Sequence, residues 1–415
     1  MTDARRAAWQ LLRAVGAGRR FEAARDSAFA GLPERDRRLA QEIAAGVLRH
    51  RSALDRELKG ALGARWRTTD GELKDLLRIG TYQLRHLTRV PPYAAVQSTV
   101  EAAKPLGGKR AAFVNAILRR VVDRGRADGP PSEPVLDLAQ RYSHPEWLVQ
   151  RWLGRYGQAA TEALLEHYDA RPSLVIQTAR WPRERIERAL TAAGIQWDDA
   201  PGGYGLIVQR SRPRELPGFA DGGFIVQGPG QARLLARAAI PAGALVWDCC
   251  AAPGGKAVAL SARGPVLASD RGPRQLTRLA ETVGRAGVPS VRTFAADALQ
   301  PPLRAASVDV VWLDAPCTAT GAMGRHPDAR WRLSPRRLAV AGRRQAALLD
   351  GVAPVVRPGG LLVYSTCSLE PEENQAQVEA FLSRTPTFVR DRDDLAVWPP
   401  DTGSDGGFVA VLRAR

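Results

Sequence analysis

In Leu245-Val246-Trp247-Asp248-Cys249-Cys250-Ala251-Ala252-Pro253-Gly254-Gly255-Lys256 an apolar run stops at a Pro-Gly-Gly turn and a helical pattern begins. The apolar start reads as a buried strand, and the glycines let backbone approach a ligand closely where the next helix starts. The spacing is neither G-x-G-x-x-G nor G-x-x-x-x-G-K-[ST], which excludes a dinucleotide fingerprint and a Walker loop. Around this loop, strand candidates at 245–247, 266–268, 308–313, 361–365 and 408–412 alternate with helical stretches. That alternation predicts a mostly parallel, doubly wound sheet over residues 222–415.

Upstream the period changes. Ala8, Leu11, Leu12 and Val15, then Leu73, Leu76, Leu77 and Gly80, then Val114, Ile117, Leu118 and Val121 each follow helical spacing. An all-α domain is expected over residues 1–128, broken at Arg89-Val90-Pro91-Pro92 and Gly107-Gly108. Asp128-Gly129-Pro130-Pro131 has the composition of a linker. Between 138 and 221 a helical stretch opens at Ser143-His144-Pro145-Glu146-Trp147, Leu174-Val175-Ile176-Gln177 reads as a strand, and 183–193 as a helix. This predicts a small α/β connector.

Charge narrows the partners. The 415 residues carry 60 Lys+Arg against 43 Asp+Glu, a net +17, and residues 1–126 hold 26 basic and 13 acidic side chains. The helical third is therefore a candidate for binding a polyanion, although solvated basic faces would read the same way. Arg5, Arg6 and Arg13 interrupt any signal-type core, and no uncharged apolar run reaches membrane-spanning length. A cytoplasmic protein without membrane contact is expected. Four cysteines and five histidines match neither a disulfide framework nor metal-ligand spacing, so reduced thiols and no metal are expected.

Two of those cysteines close strands. Asp314-Ala315-Pro316-Cys317 and Ser365-Thr366-Cys367 both end predicted strands of one sheet, where open α/β folds present their chemistry. Cys249 and Cys250 read better as small apolar residues, with Cys250 still a loop contact. Asp270 and Asp297 end the two extended stretches after the glycine loop. Singly each reads as a turn former; together they favour a ligand, and suit an adenosyl group better than a phosphate.

These motifs closely resemble those of RNA (cytosine-5) methyltransferases: Asp248 to Lys256, Asp314-Ala315-Pro316-Cys317-Thr318-Ala319-Thr320-Gly321 and Tyr364-Ser365-Thr366-Cys367-Ser368. Arg325-His326-Pro327-Asp328 with Trp331, and Pro371-Glu372-Glu373-Asn374, are similar to the bacterial 16S rRNA enzymes of the B type (RsmB/Sun-like). In the N-terminal third, Leu32-Pro33-Glu34-Arg35-Asp36-Arg37, Gly46-Val47-Leu48-Arg49, the stretch Leu76 to Leu84, Val90-Pro91-Pro92-Tyr93 and Phe113-Val114-Asn115-Ala116 resemble the NusB-type helical fold, an RNA binder. The resemblance implies a three-part chain: a NusB-like RNA-binding domain, a connector, and a Rossmann-like class I methyltransferase domain that uses S-adenosylmethionine.

The same resemblance implies roles for individual residues. Cys250, Ala251, Ala252, Pro253, Gly254, Gly255 and Lys256 would line the cofactor, with Asp270 on its ribose, Asp297 near adenine and Asp314 on the base edge or the cofactor. Lys256 would orient Asp314 or the methionine carboxylate. Cys367 would be the nucleophile that adds to cytosine C6 and makes C5 reactive, and Cys317 would assist release. Arg325, His326, Arg330 and Trp331 would hold an unstacked cytosine of 16S rRNA, while Trp331 reads equally as core packing. A monomer is expected. A tRNA cytosine-5 methyltransferase and a non-catalytic antitermination factor are the rival classes. Three positions depart from the family pattern: Gly272 and Gln275 after Asp270, and Gly228 where the family carries Asp.

Overall fold

The computed structural model of the protein describes residues 3–124, 133–209 and 212–415; the expected linker Asp128-Gly129-Pro130-Pro131 lies outside them. The chain forms two compact units, one of residues Met1–Ala170 with His326–Arg332, the other of Arg171–Arg325 with Leu333–Arg415.

The first unit is helical. All three apolar stripes read from the sequence are buried in one core, with Leu11, Leu76 and Leu118 fully inaccessible. Gly80 is there for contact: a Cβ on it would come 2.5 Å from Leu118 Cδ1, so the helix Gly71–His86 packs its backbone directly against Gly108–Arg124. Asp70 caps the former by accepting from Leu73 N at 2.9 Å. Pro92 opens the helix Pro92–Ala103, as its fixed φ favours. The helices Pro134–Arg141 and Glu146–Asp169 also belong to this unit, which therefore extends beyond the helical domain expected over residues 1–128 and into the expected connector. The reason is local. Ser143 Oγ accepts from Ser52 N at 3.1 Å and Ala53 N at 3.3 Å, satisfying the first amides of the helix Arg51–Leu62.

The second unit holds two sheets. Strands β1 (Leu174–Thr178), β2 (Trp197–Asp199), β3 (Leu206–Val208) and β4 (Phe224–Val226) form a small antiparallel sheet in the order β2-β3-β1-β4. Its last strand extends the expected connector beyond residue 221. The larger sheet contains β5 (Val246–Asp248), β6 (Val266–Asp270), β7 (Val291–Ala295), β8 (Val308–Asp314), β9 (Val356–Thr366), β10 (Phe388–Val397) and β11 (Gly407–Ala414), in the order β10-β11-β9-β8-β5-β6-β7. Strands β5 to β9 pair in parallel, whereas β11 pairs antiparallel to both β9 and β10. Period-2 alternation covers both faces: Val310 and Trp312 of β8 enter one core with Leu234 and Leu279, while Val311 and Leu313 enter the other with Leu349 and Phe381. The order reverses between β5 and β8, and the crevice beyond their carboxyl ends is where such sheets bind ligands.

Candidate active site

Register brings the two thiols together. Asp314 at the end of β8 stands opposite Ser365 near the end of its parallel neighbour β9. Cys317 lies three residues beyond the first and Cys367 two beyond the second, and their sulfurs are 3.2 Å apart. Asp314 links this pair to the glycine loop: Oδ1 accepts from Ser365 Oγ at 2.9 Å and Oδ2 pairs with Lys256 Nζ at 2.6 Å.

Electrostatics distinguish Cys317 and Lys256. The Cys317 thiol is pushed well above its ordinary range, first by its hydrogen bond with Cys367, then by burial and the charges of Cys367 and Glu373. It therefore holds its proton. Burial opposes the charge on Lys256, but Asp314 and then Cys367 more than offset it, and the ammonium is held more firmly than usual. An ammonium and a second thiol thus stand beside Cys367.

The loop after β5 is held from both sides. Gly254, at φ +108, donates to Ala251 O at 2.7 Å and starts the turn into the helix Gly255–Leu260. Asp270 Oδ2 accepts from Ala252 N at 3.3 Å, so the carboxylate ending β6 reaches the same loop. Asp297 follows β7 and accepts from Leu299 N at 3.0 Å, with Arg271 at 3.6 Å. Cys249 is buried with its sulfur 3.3 Å from Trp312 O, as an apolar residue would sit, and Cys250 is half-buried. Sequence reasoning left Asp248 out of the candidate residues. It is fully buried, no side chain hydrogen-bonds its carboxyl, and burial followed by the charge of Asp314 pushes it up to about 8 against the lowering effects of Lys256 and the Cys250 amide. The signal was available, since an acidic residue ending a buried strand just before a glycine loop has no packing reason to be there.

Part of the expected RNA-holding set is corrected. His326 is exposed, but Arg330 is fully buried in the helical unit. Its guanidinium donates to the carbonyls of Arg49, Tyr142, Ser143 and Tyr168 at 3.3–3.4 Å, which leaves no surface for RNA. Trp331 takes the packing alternative: its indole donates to Leu48 O at 2.7 Å beneath Arg51. Arg325 stays in the second unit, paired with Asp405 at 3.1 Å. The departure at Gly228 is filled by neighbours, because a Cβ there would lie 2.1 Å from Ser404 Oγ and 3.0 Å from Arg325 Nη2. At Gly272 the amide of Gln275 occupies the corresponding space, 2.2 Å from where a Cβ would stand. Among the described residues no cluster of His, Cys, Asp or Glu is placed to hold a metal, and no helix is long and apolar enough to cross a membrane.

A parallel sheet ending in an antiparallel hairpin, a glycine loop after its first strand and carboxylates on the next strand ends define the class: a Rossmann-like methyltransferase, here in one chain with a helical domain. Family models agree along the chain. "NusB family" matches residues 2–123, "Methyltr_RsmF/B-like, ferredoxin-like domain" matches 144–213, and "16S rRNA methyltransferase RsmB/F" matches 239–413. The ribosomal RNA small subunit methyltransferase B of Vibrio cholerae is 33% identical over 427 residues, covering 99% of this chain and 96% of that protein. Its counterpart in Xylella fastidiosa is 37% identical over 399 residues, 91% and 92% of the two chains. The chain belongs to the RsmB family of 16S rRNA methyltransferases. Among solved structures, one titled "Crystal Structure of PH0851" has the same fold over 99% of this chain and 98% of its own, with a TM-score of 0.82 at 24% identity. NSun6 from Pyrococcus horikoshii with SFG shares the fold over 65% of this chain and 98% of its own, with a TM-score of 0.57 at 18% identity.

Proposed function

We propose that this enzyme methylates C5 of a specific cytosine in 16S rRNA through a covalent adduct between Cys367 and cytosine C6. The observation that carries the reading is the pair of sulfurs 3.2 Å apart beside the Lys256–Asp314 ion pair. S-adenosylmethionine supplies an electrophilic methyl group on a sulfonium and departs as S-adenosylhomocysteine. The glycine loop from Cys250 to Lys256 would hold it, with Asp270 on the ribose and Asp297 toward the adenine. The buried Asp248, which no side chain hydrogen-bonds, suits the ammonium of its methionine part.

Cys367 adds as thiolate to C6, and the ring electrons pushed to C5 make that carbon the nucleophile. Lys256 offsets part of the charge that Cys367 carries. Asp314, anchored by Lys256 and Ser365, is placed to bond the base edge and ease addition. Methylated C5 still carries its proton. Once Cys367 is bonded to C6 it no longer carries the charge and the hydrogen bond that hold the Cys317 proton, so Cys317 loses that proton to solvent and, as thiolate, takes the one on C5; the freed pair re-forms the C5–C6 double bond and the Cys367–C6 bond breaks to return a thiolate. Cys317 is a thiol again, and each turnover has released one proton. The basic NusB-family domain neutralises RNA phosphates and confers salt-dependent affinity. The protein acts as a monomer, without a metal, in the cytoplasm where ribosomal RNA is made.

The test is incubation of the purified protein with labelled S-adenosylmethionine and 16S rRNA, beside Cys367→Ala and Cys317→Ala. Methyl transfer is expected to vanish in Cys367→Ala, and denaturation-resistant RNA adducts to accumulate in Cys317→Ala. Adducts that require Cys317 would reverse the roles. Transfer to tRNA alone would make the protein a tRNA enzyme, and no transfer to any RNA would leave a binding factor.

A further inference from the structure

We propose that Glu373 is a positioning residue whose carboxylate sets the spacing of the two thiols and so governs release of the methylated base. This rests on the covalent reading above. Glu373 is fully buried in the turn Pro371–Glu373. Its Oε1 accepts from Thr318 N and from Gln345 Nε2, both at 2.9 Å, and its Oε2 accepts from Thr318 Oγ1 and, at 2.5 Å, from Ser368 Oγ. Thr318 directly follows Cys317, and Ser368 directly follows Cys367. One carboxylate thus grips the residue after each thiol.

The neighbours turn the grip into a frame. Gln345 also donates to Pro316 O at 3.1 Å, so Cys317 is fixed on both sides. Asn374 does the same for Cys367: its Oδ1 accepts from Thr366 Oγ1 at 2.6 Å and its Nδ2 donates to Ser368 O at 2.9 Å. Tyr364 donates from its hydroxyl to Glu373 O at 2.6 Å and pins the turn to β9. Four donors converge on a group that is acceptor-only when ionised, so the isosteric amide would set an NH2 against N–H or O–H donors.

Spacing matters for one step. Addition needs only Cys367, whereas release needs a second group at C5 while Cys367 is still bonded to C6. C5 and C6 are bonded neighbours, so the two sulfurs must stay in near contact, as their 3.2 Å separation provides. A loosened clasp therefore slows release more than addition.

The experiment compares Glu373→Gln, Thr318→Val and Cys317→Ala with wild type in single-turnover methyl transfer, multiple-turnover methylation and gel detection of denatured RNA–protein adducts. Thermal melting checks that each variant folds. Glu373→Gln is expected to lose about 10-fold or more in kcat with KM for RNA falling in proportion, so that kcat/KM and single-turnover transfer are largely kept while adduct accumulates. Thr318→Val, which removes one prong, is expected to show the same pattern at about 3-fold, and decides the matter if Glu373→Gln does not fold. Wild-type turnover in the folded variant, or equal loss of single and multiple turnover without adduct, would overturn the clasp. Absence of adduct in Cys317→Ala would instead overturn the covalent reading beneath it.

Discussion

Arg330 and Asp248 are both fully buried and ionisable, yet the two regions treat them in opposite ways. In the helical unit, the two terminal nitrogens of Arg330 donate to four backbone carbonyls. Burial, and then Arg49, lower its affinity for the proton to about 9, still well above neutrality. In the catalytic unit, Asp248 ends β5 with no side chain bonded to its carboxyl. A buried guanidinium bonded at both terminal nitrogens holds its surroundings together; a buried carboxyl beside a glycine loop that no side chain bonds is a candidate ligand contact. The Arg330 segment and the Cys317 motif are adjacent in sequence and equally conspicuous as motifs. Satisfaction, rather than proximity in the chain, separates their roles.

The largest expected effect lies on the catalytic side. Cys367→Ala should cut methylation by about 10⁴-fold or more in a single-turnover assay while melting close to wild type. A large stability loss with residual activity would make this thiol architectural and erase the contrast. Next comes Asp248. Its carboxyl has a folded value near 8, far above its ordinary one, so between about pH 4 and 8 the native state holds a proton that the unfolded chain does not. Stability is then full below that window and falls as pH rises through it, by up to about 1.4 kcal/mol per unit. Denaturant unfolding at pH 5 to 8 without cofactor should show this slope in wild type and a flatter one in Asp248→Asn. Equal slopes would mean that Asp248 is satisfied after all.

On the helical side, Arg330→Met strands several carbonyls and should cost about 3 kcal/mol in unfolding free energy, with KM for RNA unchanged below the melting range. A raised KM at unaltered stability would return Arg330 to the RNA. The smallest effect is Trp331→Phe, which removes the bond to Leu48 O and should cost about 1 kcal/mol.

Much of this was legible in the sequence. Glycine turns, helical stripes and apolar runs located the parallel strands, and the ends of β8 and β9 located the thiols. Strands β7 and β10 were harder because they are the sheet's edges: Arg390, Asp391, Arg392, Asp393 and Asp394 make β10 read as a polar loop, the usual guise of an edge strand. The clasp at Glu373 was invisible because its partners Thr318 and Gln345 are remote in sequence. The reassignment of Arg330 was missed because a segment between two strands of one unit was taken to serve that unit.

The excursion of His326–Arg332 into the other unit also bears on domain exchange. A methyltransferase domain cut away at Ala170 would carry, between β8 and β9, seven residues shaped for a core it no longer has, with Arg330 and Trp331 laid bare. The two units cannot be exchanged as beads on a string: a graft that swaps one must also rewrite the segment His326–Arg332 carried inside the other.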